Sequence, residues 1–191
     1  MTPLCSLARK YKCDKAFDPA LEHCHTYTKV YHHLYEGTQE QVRAVLEVGV
    51  NTGASLRMWR DYFPRAMVVG LDIDAKCLFH EDRIRCCHAD QTDDRSLMNA
   101  MVLAGIPLYD LIIDDGSHVL WDQVFTMQQL LRYLAPDGLY FVEDVRGDPL
   151  PLIQAVPSGF EWRIPETSGG LGIGATDKLM VVAHARSSRT R

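Results

Sequence analysis

The sequence predicts an α/β protein with a Rossmann-like, doubly wound and mostly parallel sheet that ends in an antiparallel hairpin. Short apolar runs rich in β-branched residues alternate with amphipathic segments of helical length. Acidic residues follow most of these runs. Because the carboxyl ends of parallel strands share one edge of such a sheet, the sequence predicts a ligand site there, built largely from acids.

Composition limits the classes of partner. The chain has 191 residues, 47% of them hydrophobic and 24% charged, which is typical of a globular protein with one core. A net charge of −5 gives no general basic field for nucleic acid or an anionic membrane. No apolar run approaches the roughly 18 residues of a membrane span. The six cysteines lack paired metal-site spacing and no leader-like segment precedes them, so we expect a reduced, cytoplasmic protein.

The first 40 residues are mixed and polar, and their apolar spacing predicts two short helices that cap a ligand-binding domain at 41–191. Four histidines lie in this cap, and their i, i+1 and i, i+2 spacings do not place ligands on one helix face. We therefore expect solvated or substrate-facing roles for them rather than a metal site. These histidines are His23, His25, His32 and His33.

The segment 44–55 predicts a buried strand, a tight turn and the start of a helix. Its pattern is Glu47-x-Gly49-x-x-x-Gly53, in which glycines let the main chain approach a ligand closely. The next helix, starting near Thr52 or Ser55, offers unpaired N–H groups. The spacing is neither that of G-x-G-x-x-G nor that of a P-loop. An ordinary strand-to-helix turn is an equally good interpretation of this segment alone.

Two further strand ends carry acids suited to a nucleoside. A strand at 67–73 carries Asp72, whose carboxylate can accept both hydroxyl hydrogens of a ribose. The segment 84–94 predicts a short strand and a polar loop where Asp90 can accept from an exocyclic amine. Each has a plainer alternative, since tip acids without ligands are common and the loop can simply cap the helix at 96–103.

The fourth and fifth strands, at 108–113 and 139–142, predict the chemical centre. Asp115, Glu143 and Asp144 are expected to converge there, and such negative charge needs a cation. Oxygen ligands favour Mg²⁺, and His118 is placed to act as a general base. The alternative is that these acids cap helices or pair with arginines. The candidate arginines are Arg57, Arg60 and Arg146.

The rest of the chain predicts a helix at 121–134, a short helix near 152–155, and a hairpin. The hairpin strands are expected at 160–164 and 178–184, joined by a glycine-rich turn at 168–174.

Taken together, four stretches resemble the class I S-adenosylmethionine-dependent methyltransferases. They are LEVGVNTGASLRMWRDYFP, VVGLDID, DLIIDDGSH and LYFVEDV. The similarity is greatest to the metal-dependent sugar O-methyltransferases of macrolide biosynthesis and their cephalosporin-hydroxylase-like relatives, and it runs from about Leu7 to Val182. LARKYKCDK and HTYTKVY are similar to the family's segment that closes over the cofactor. From this sequence we expect no large N-terminal domain like that of the longer sugar enzymes.

The resemblance implies methylation of one hydroxyl of a vicinal diol on a small molecule, namely a natural-product sugar. It implies S-adenosylmethionine and Mg²⁺ as cofactors. The metal ligands would be Asp115, Glu143 and Asp144, with His118 as the catalytic base. The implied cofactor-binding residues are Glu47, Gly49, Asn51, Thr52, Gly53, Ser55, Asp72, Asp90, Gln91 and Asp114.

Three alternative functions are open at this stage. A catechol-type phenol also offers vicinal oxygens to one metal, and Trp121, Tyr27 and Trp162 are the aromatic residues available to enclose a flat ring. An NAD-dependent oxidoreductase shares the fold, although the glycine spacing counts against it. A non-catalytic cofactor-binding protein is the third. The sequence is compatible with a homo-oligomer as well as with a monomer.

Overall fold

The computed structural model describes residues 1–167 and 177–185. The helices of this part are α1 Pro3–Tyr11, α2 Tyr27–Tyr35, α3 Ala54–Tyr62, α4 Asp94–Ala104, α5 Leu120–Leu130 and α6 Leu150–Ala155. The strands are β1 Ala44–Val48, β2 Met67–Asp72, β3 His80–Glu81, β4 Ile84–His88, β5 Tyr109–Asp114, β6 Leu134–Val145, β7 Phe160–Arg163 and β8 Lys178–His184.

The strands form one sheet in the order β3-β4-β2-β1-β5-β6-β8-β7. The five central strands pair in parallel, whereas β3, β7 and β8 are antiparallel to their neighbours. The predicted fold class, including the antiparallel hairpin of β7 and β8, is therefore confirmed. The chain leaves β1 towards β2 and β4, then returns to place β5 on the other side of β1. Ligands bind at such a switch in strand order.

Helices cover both faces of the sheet, and one hydrophobic cluster lies on each side. One cluster joins α1, α2 and α3 to β1 through residues such as Leu4, Tyr31 and Trp59. The other joins α4 and α5 to the opposite face through residues such as Leu97 and Met127. The two predicted N-terminal helices are confirmed, and they share a core with the sheet. The domain boundary at residue 40 stays a prediction. Within the described ranges, no helix combines the length and apolarity needed to cross a membrane.

Two predicted elements had bounds that were wrong by several residues, and one short strand was missed. The fifth strand, expected at 139–142, is β6 and extends to Val145. Its pairing with β8 shifts register between Val142 and Val145, and Asp144 adopts a positive φ of 52°. The bulge therefore carries acids inside the strand rather than after it. The helix expected to end at 134 becomes a 3-10 turn at Leu131, and the short edge strand β3 was missed. The glycine-rich turn at 168–174 lies outside the described residues.

An ionic contact attaches α1 to α3. Asp61 accepts hydrogen bonds from Lys10 Nζ at 2.8 Å and from the Tyr11 hydroxyl at 2.5 Å. Arg60 pairs with the same carboxylate at 3.0 Å. Although burial opposes the charge, these partners lower the pKa of Asp61 to about 2.

We expect Asp61→Asn to lower the free energy of unfolding at pH 7 by about 1–2 kcal/mol, because it removes a charged acceptor that is only partly exposed. A depressed carboxyl pKa stabilises the fold above about pH 4, and this contribution is lost as the pH falls towards 2. Urea titrations should therefore show the difference from wild type narrowing from pH 5 to pH 3. Asp82→Asn is the control, since the Asp82 side chain is 89% exposed. An equal effect of both substitutions would contradict the prediction.

Candidate active site

The turn between β1 and α3 lies against the end of β5, because Gly49 has no side chain. Gly49 has a φ of 95°, and a Cβ there would lie 2.1 Å from the backbone oxygen of Asp115. Asp72 Oδ2 holds the same turn by accepting the N–H groups of Val50 and Asn51 at 2.8 and 3.1 Å. The glycine thus permits close backbone packing, and the predicted ribose acid already braces the turn from β2.

Two clefts flank this turn at the carboxyl edge of the sheet. The larger, about 690 Å³, is lined by predicted residues that include Asn51, Thr52, Ser55 and His118. The smaller, about 350 Å³, is lined on one side by Asp90. Both volumes lie within the range of about 300–1,000 Å³ that small-molecule sites occupy. The residues common to both clefts are Gly49, Asp72 and Gly116.

Side chains at the smaller cleft are organised by local hydrogen bonds. Asp90 Oδ1 accepts from the Thr92 N–H and hydroxyl at 2.9 and 2.7 Å, and these bonds lower the pKa of Asp90. The Gln91 amide donates to the Thr126 hydroxyl at 2.9 Å and accepts from the Ser117 N–H at 2.7 Å. Asp90 therefore keeps one oxygen for a ligand, whereas Gln91 chiefly fixes the loop after β5.

Asp114, a predicted cofactor residue, ends β5 and is fully buried. Burial raises its pKa to about 8, so it is mostly protonated at neutral pH. Its Oδ1 accepts from Gln91 at 3.3 Å, and among the described residues its Oδ2 has no hydrogen-bond partner.

At the larger cleft, Asp115, His118 and Asp144 come together. Asp115 Oδ1 lies 4.0 Å from His118 Nδ1, and Asp144 Oδ2 lies 3.9 Å from His118 Nε2. One ligand atom from each residue lies within 4.8 Å of the others. His118 and Asp144 adopt positive φ angles of 58° and 52°. Such strained conformations in non-glycine residues persist where surrounding contacts enforce them, and they concentrate at functional sites.

Lys15, from the segment between α1 and α2, lies beneath this group of residues. Its side chain is 1% exposed, and its Nζ contacts Asp115 Oδ2 at 2.5 Å, Glu143 Oε2 at 2.6 Å and Glu47 Oε1 at 3.2 Å. Burial opposes the charge of Lys15, but the three carboxylates outweigh it and raise the pKa of Lys15 well above its usual value. Lys15 is therefore a buried cation shared by three acids.

Glu47 and Glu143 are the acids that the structure places furthest from solvent. Both Glu143 oxygens are engaged, with Tyr31 donating to Oε1 at 2.6 Å and Lys15 to Oε2. Glu47 is fully buried, does not line either cleft, and accepts from Trp59 Nε1 at 2.8 Å. Burial raises the pKa of both glutamates. Neither belongs to the group formed by Asp115, His118 and Asp144.

The alternative that the strand-end acids pair with arginines is not what the structure shows. Arg57 pairs with Glu81, Arg60 with Glu81 and Asp61, and Arg146 with Asp177. Within the described part of the chain, therefore, these arginines pair with acids outside the site.

Sequence reasoning missed Lys15 and Tyr31 as parts of the site, and it considered Tyr27 only as an aromatic wall for a flat ring. Lysine is rarely buried, and Lys15 lies in a loop where no periodicity assigns a side-chain direction. The signal available was the similarity of LARKYKCDK and HTYTKVY to a segment that closes over a cofactor. Of the aromatic residues considered for a flat ring, Tyr27 is buried, whereas Trp121 and Trp162 are 67% and 44% exposed.

The donor set suits a hard cation. Asp115 and Asp144 each present a carboxylate oxygen towards the same point, and Mg²⁺ prefers such ligands and keeps waters for the remaining positions. His118 Nδ1 is buried and has no hydrogen-bond partner among the described residues. An imidazole beside two acids is available to accept a proton.

No family model matches the chain. It is 38% identical over 137 residues to 8-demethyl-8-alpha-L-rhamnosyl tetracenomycin-C 2'-O-methyltransferase of Streptomyces olivaceus, a match that covers 68% of this chain and 36% of that protein. It is 37% identical over 137 residues to mycinamicin VI 2''-O-methyltransferase of Micromonospora griseorubida, covering 68% and 34% respectively. The matches thus span about a third of the length of these relatives.

The solved structure of the MycE methyltransferase in complex with Mg, SAH and mycinamycin VI resembles the chain with a TM-score of 0.77 and 26% identity. The superposition covers 98% of this chain and 55% of that one. The predicted resemblance is confirmed: in sequence as well as in fold, the chain is similar to the class I S-adenosylmethionine-dependent methyltransferases that methylate sugars in natural-product pathways.

Proposed function

We propose that the protein transfers a methyl group from S-adenosylmethionine to one hydroxyl of a vicinal diol on a small molecule, with Mg²⁺ bound beside His118. The acceptor is a natural-product sugar. The observation that carries the proposal is the group formed by Asp115, His118 and Asp144 at the cleft beside the Gly49 turn.

The cofactor would occupy the two connected clefts. Asn51, Thr52 and Ser55, which line the larger cleft beside the Gly49 turn, would hold the methionine part. Asp72 would hold the ribose, and Asp90, which lines the smaller cleft, would hold the adenine. Glu47, Gly53, Gln91 and Asp114 support this surface from beneath, since each is buried.

Asp115 and Asp144 would hold the metal through the oxygens that face His118. Glu143, the third proposed ligand, already accepts from Lys15 and Tyr31, so it would share its oxygens with these donors. When bound, Mg²⁺ would lower the pKa of an acceptor hydroxyl while S-adenosylmethionine supplies the methyl group.

The chain's own residues position the acceptor and move one proton. His118 takes the proton from the acceptor hydroxyl at one of its ring nitrogens. Its ring is held between Asp115 and Asp144, which orient it and stabilise the positive charge that it gains. The turn at Gly49 would hold the cofactor near this ring, and proximity would contribute most of the rate of methyl transfer.

The alternatives are less well supported. The Glu47-x-Gly49-x-x-x-Gly53 turn differs from the dinucleotide-binding spacing, which counts against an oxidoreductase. A catechol would need aromatic walls, whereas Tyr27 is buried and Trp162 lies on β7 at the far edge of the sheet. We place the protein in the cytoplasm because no two of its six cysteines are joined.

Methyl transfer is tested directly with methyl-labelled S-adenosylmethionine and a panel of glycosides that carry vicinal hydroxyls, with catechols and single-hydroxyl analogues alongside. We expect labelled product only from vicinal diols, and loss of product when EDTA removes divalent metal. Product formed equally well in EDTA would contradict the role of the metal. Preferential labelling of catechols would replace the sugar with a phenol.

A further inference from the structure

The N-terminal segment holds the carboxylates from which the proposed metal site is built. The Tyr27 hydroxyl donates to Asp144 Oδ1 at 2.8 Å, and Lys15 Nζ contacts Asp115 Oδ2 at 2.5 Å. The oxygens that remain, Asp144 Oδ2 and Asp115 Oδ1, are those that face His118. In each carboxylate, therefore, one oxygen contacts the N-terminal segment and the other faces His118.

Tyr27 is itself held firmly. Its side chain is 1% exposed, and its ring stacks on His25 with centroids 4.5 Å apart and planes 15° apart. His25 Nε2 lies 3.4 Å from the same oxygen, Asp144 Oδ1. The Tyr27 hydroxyl also lies 3.4 Å from the Asp177 carbonyl oxygen.

Asp144 lies at the bulge of β6 with a φ of 52°, a conformation that few non-glycine residues adopt and that is typical of functional sites. Without the Tyr27 hydroxyl, Asp144 Oδ1 would lose its closest donor, and the carboxylate would be free to rotate. Mutation of a residue that hydrogen-bonds to a metal ligand typically weakens metal affinity by about 10- to 100-fold.

We infer that Tyr27 is a positioning residue, which orients Asp144 so that its second oxygen faces His118 and the divalent cation. The inference rests on the proposed function, because it presupposes a metal at Asp115 and Asp144. It assigns to the N-terminal segment a direct part in metal affinity, and Tyr27 acts through Asp144 rather than on the acceptor.

The test is the affinity for Mn²⁺, used as a spectroscopic substitute for Mg²⁺ and measured by electron paramagnetic resonance on the full chain. We expect Tyr27→Phe to weaken Mn²⁺ binding by about 10-fold while S-adenosylhomocysteine binding stays near the wild-type value. At saturating metal, turnover should recover most of its wild-type value. Tyr35→Phe is the matched control, since the hydroxyl of this buried tyrosine donates to the Asp110 carbonyl oxygen at the opposite end of the sheet.

The outcomes separate the two proposals. Wild-type Mn²⁺ affinity in Tyr27→Phe, or equal weakening in Tyr27→Phe and Tyr35→Phe, would overturn the positioning role alone. Failure of the wild-type protein to bind Mn²⁺ would instead overturn the metal in the proposed function. If Tyr27→Phe does not fold, Tyr27→Met serves as a second variant, since methionine removes the hydroxyl and its flexible apolar side chain adapts to a buried site. Wild-type Mn²⁺ affinity in this variant would overturn the positioning role.

Discussion

Substitution of His118 by alanine should lower the turnover rate by about 10²- to 10⁴-fold, the range that removal of a general base typically gives. Its ring nitrogens lie 4.0 and 3.9 Å from carboxylates of Asp115 and Asp144, so the imidazole is the group placed to receive a proton there. Binding of S-adenosylhomocysteine should change little, because His118 does not brace the turn at Gly49 or Asp72. Turnover with labelled cofactor and calorimetry measure the two effects separately.

The positive φ of His118 requires a backbone control. Asparagine tolerates this conformation better than alanine, so His118→Asn preserves the turn while it removes the base. Both variants should therefore be slow. If His118→Asn turns over at the wild-type rate, the imidazole is not the base.

Substitution of Lys15 by methionine should lower the free energy of unfolding by about 3–5 kcal/mol, because removal of one partner leaves buried charges without compensation. Lys15 contacts three carboxylates within 3.2 Å, and two of them, Glu47 and Glu143, are almost fully buried. Methionine is similar in length and fits an apolar site, so the loss reports the charge rather than a cavity. Urea unfolding at pH 7 measures it.

Two further variants isolate the cause. Lys10→Met removes an ammonium that is 57% exposed, so we expect a far smaller loss than for Lys15→Met. Adding Glu143→Gln to Lys15→Met removes one of the uncompensated charges, so the double variant should be more stable than Lys15→Met alone. A Lys15→Met protein as stable as wild type would show that the buried ion pairs contribute no net stability.

The fold was predictable because its signals are local and repeated. Runs such as 67–73 and 178–184 are apolar and β-branched, and between them lie segments with helical spacing. Hairpin strand β8 was predicted with the bounds it has, Lys178–His184. The bulge in β6 was not predictable, since no periodicity marks a register shift between Val142 and Val145. Tertiary pairing with β8 decides it.

The site was predictable only in part, for a related reason. Because the ends of parallel strands share one edge of the sheet, the sequence predicted that Asp115, Asp144 and His118 lie close together. In the structure, one ligand atom of each residue lies within 4.8 Å of the others. The same reasoning could not show that Glu143 differs from Asp115 and Asp144, because both of its oxygens accept hydrogen bonds, from Lys15 and Tyr31. Those donors come from a segment more than 100 residues earlier in the chain, and only a three-dimensional structure shows the contact.

Calorimetric titration of the purified protein with S-adenosylhomocysteine, and separately with NAD⁺, each with and without Mg²⁺, tests the central claim most directly. The account predicts micromolar binding of S-adenosylhomocysteine and none of NAD⁺. Absence of S-adenosylhomocysteine binding in either condition would contradict the methyltransferase assignment, and the carboxylates around Lys15 would then need another explanation.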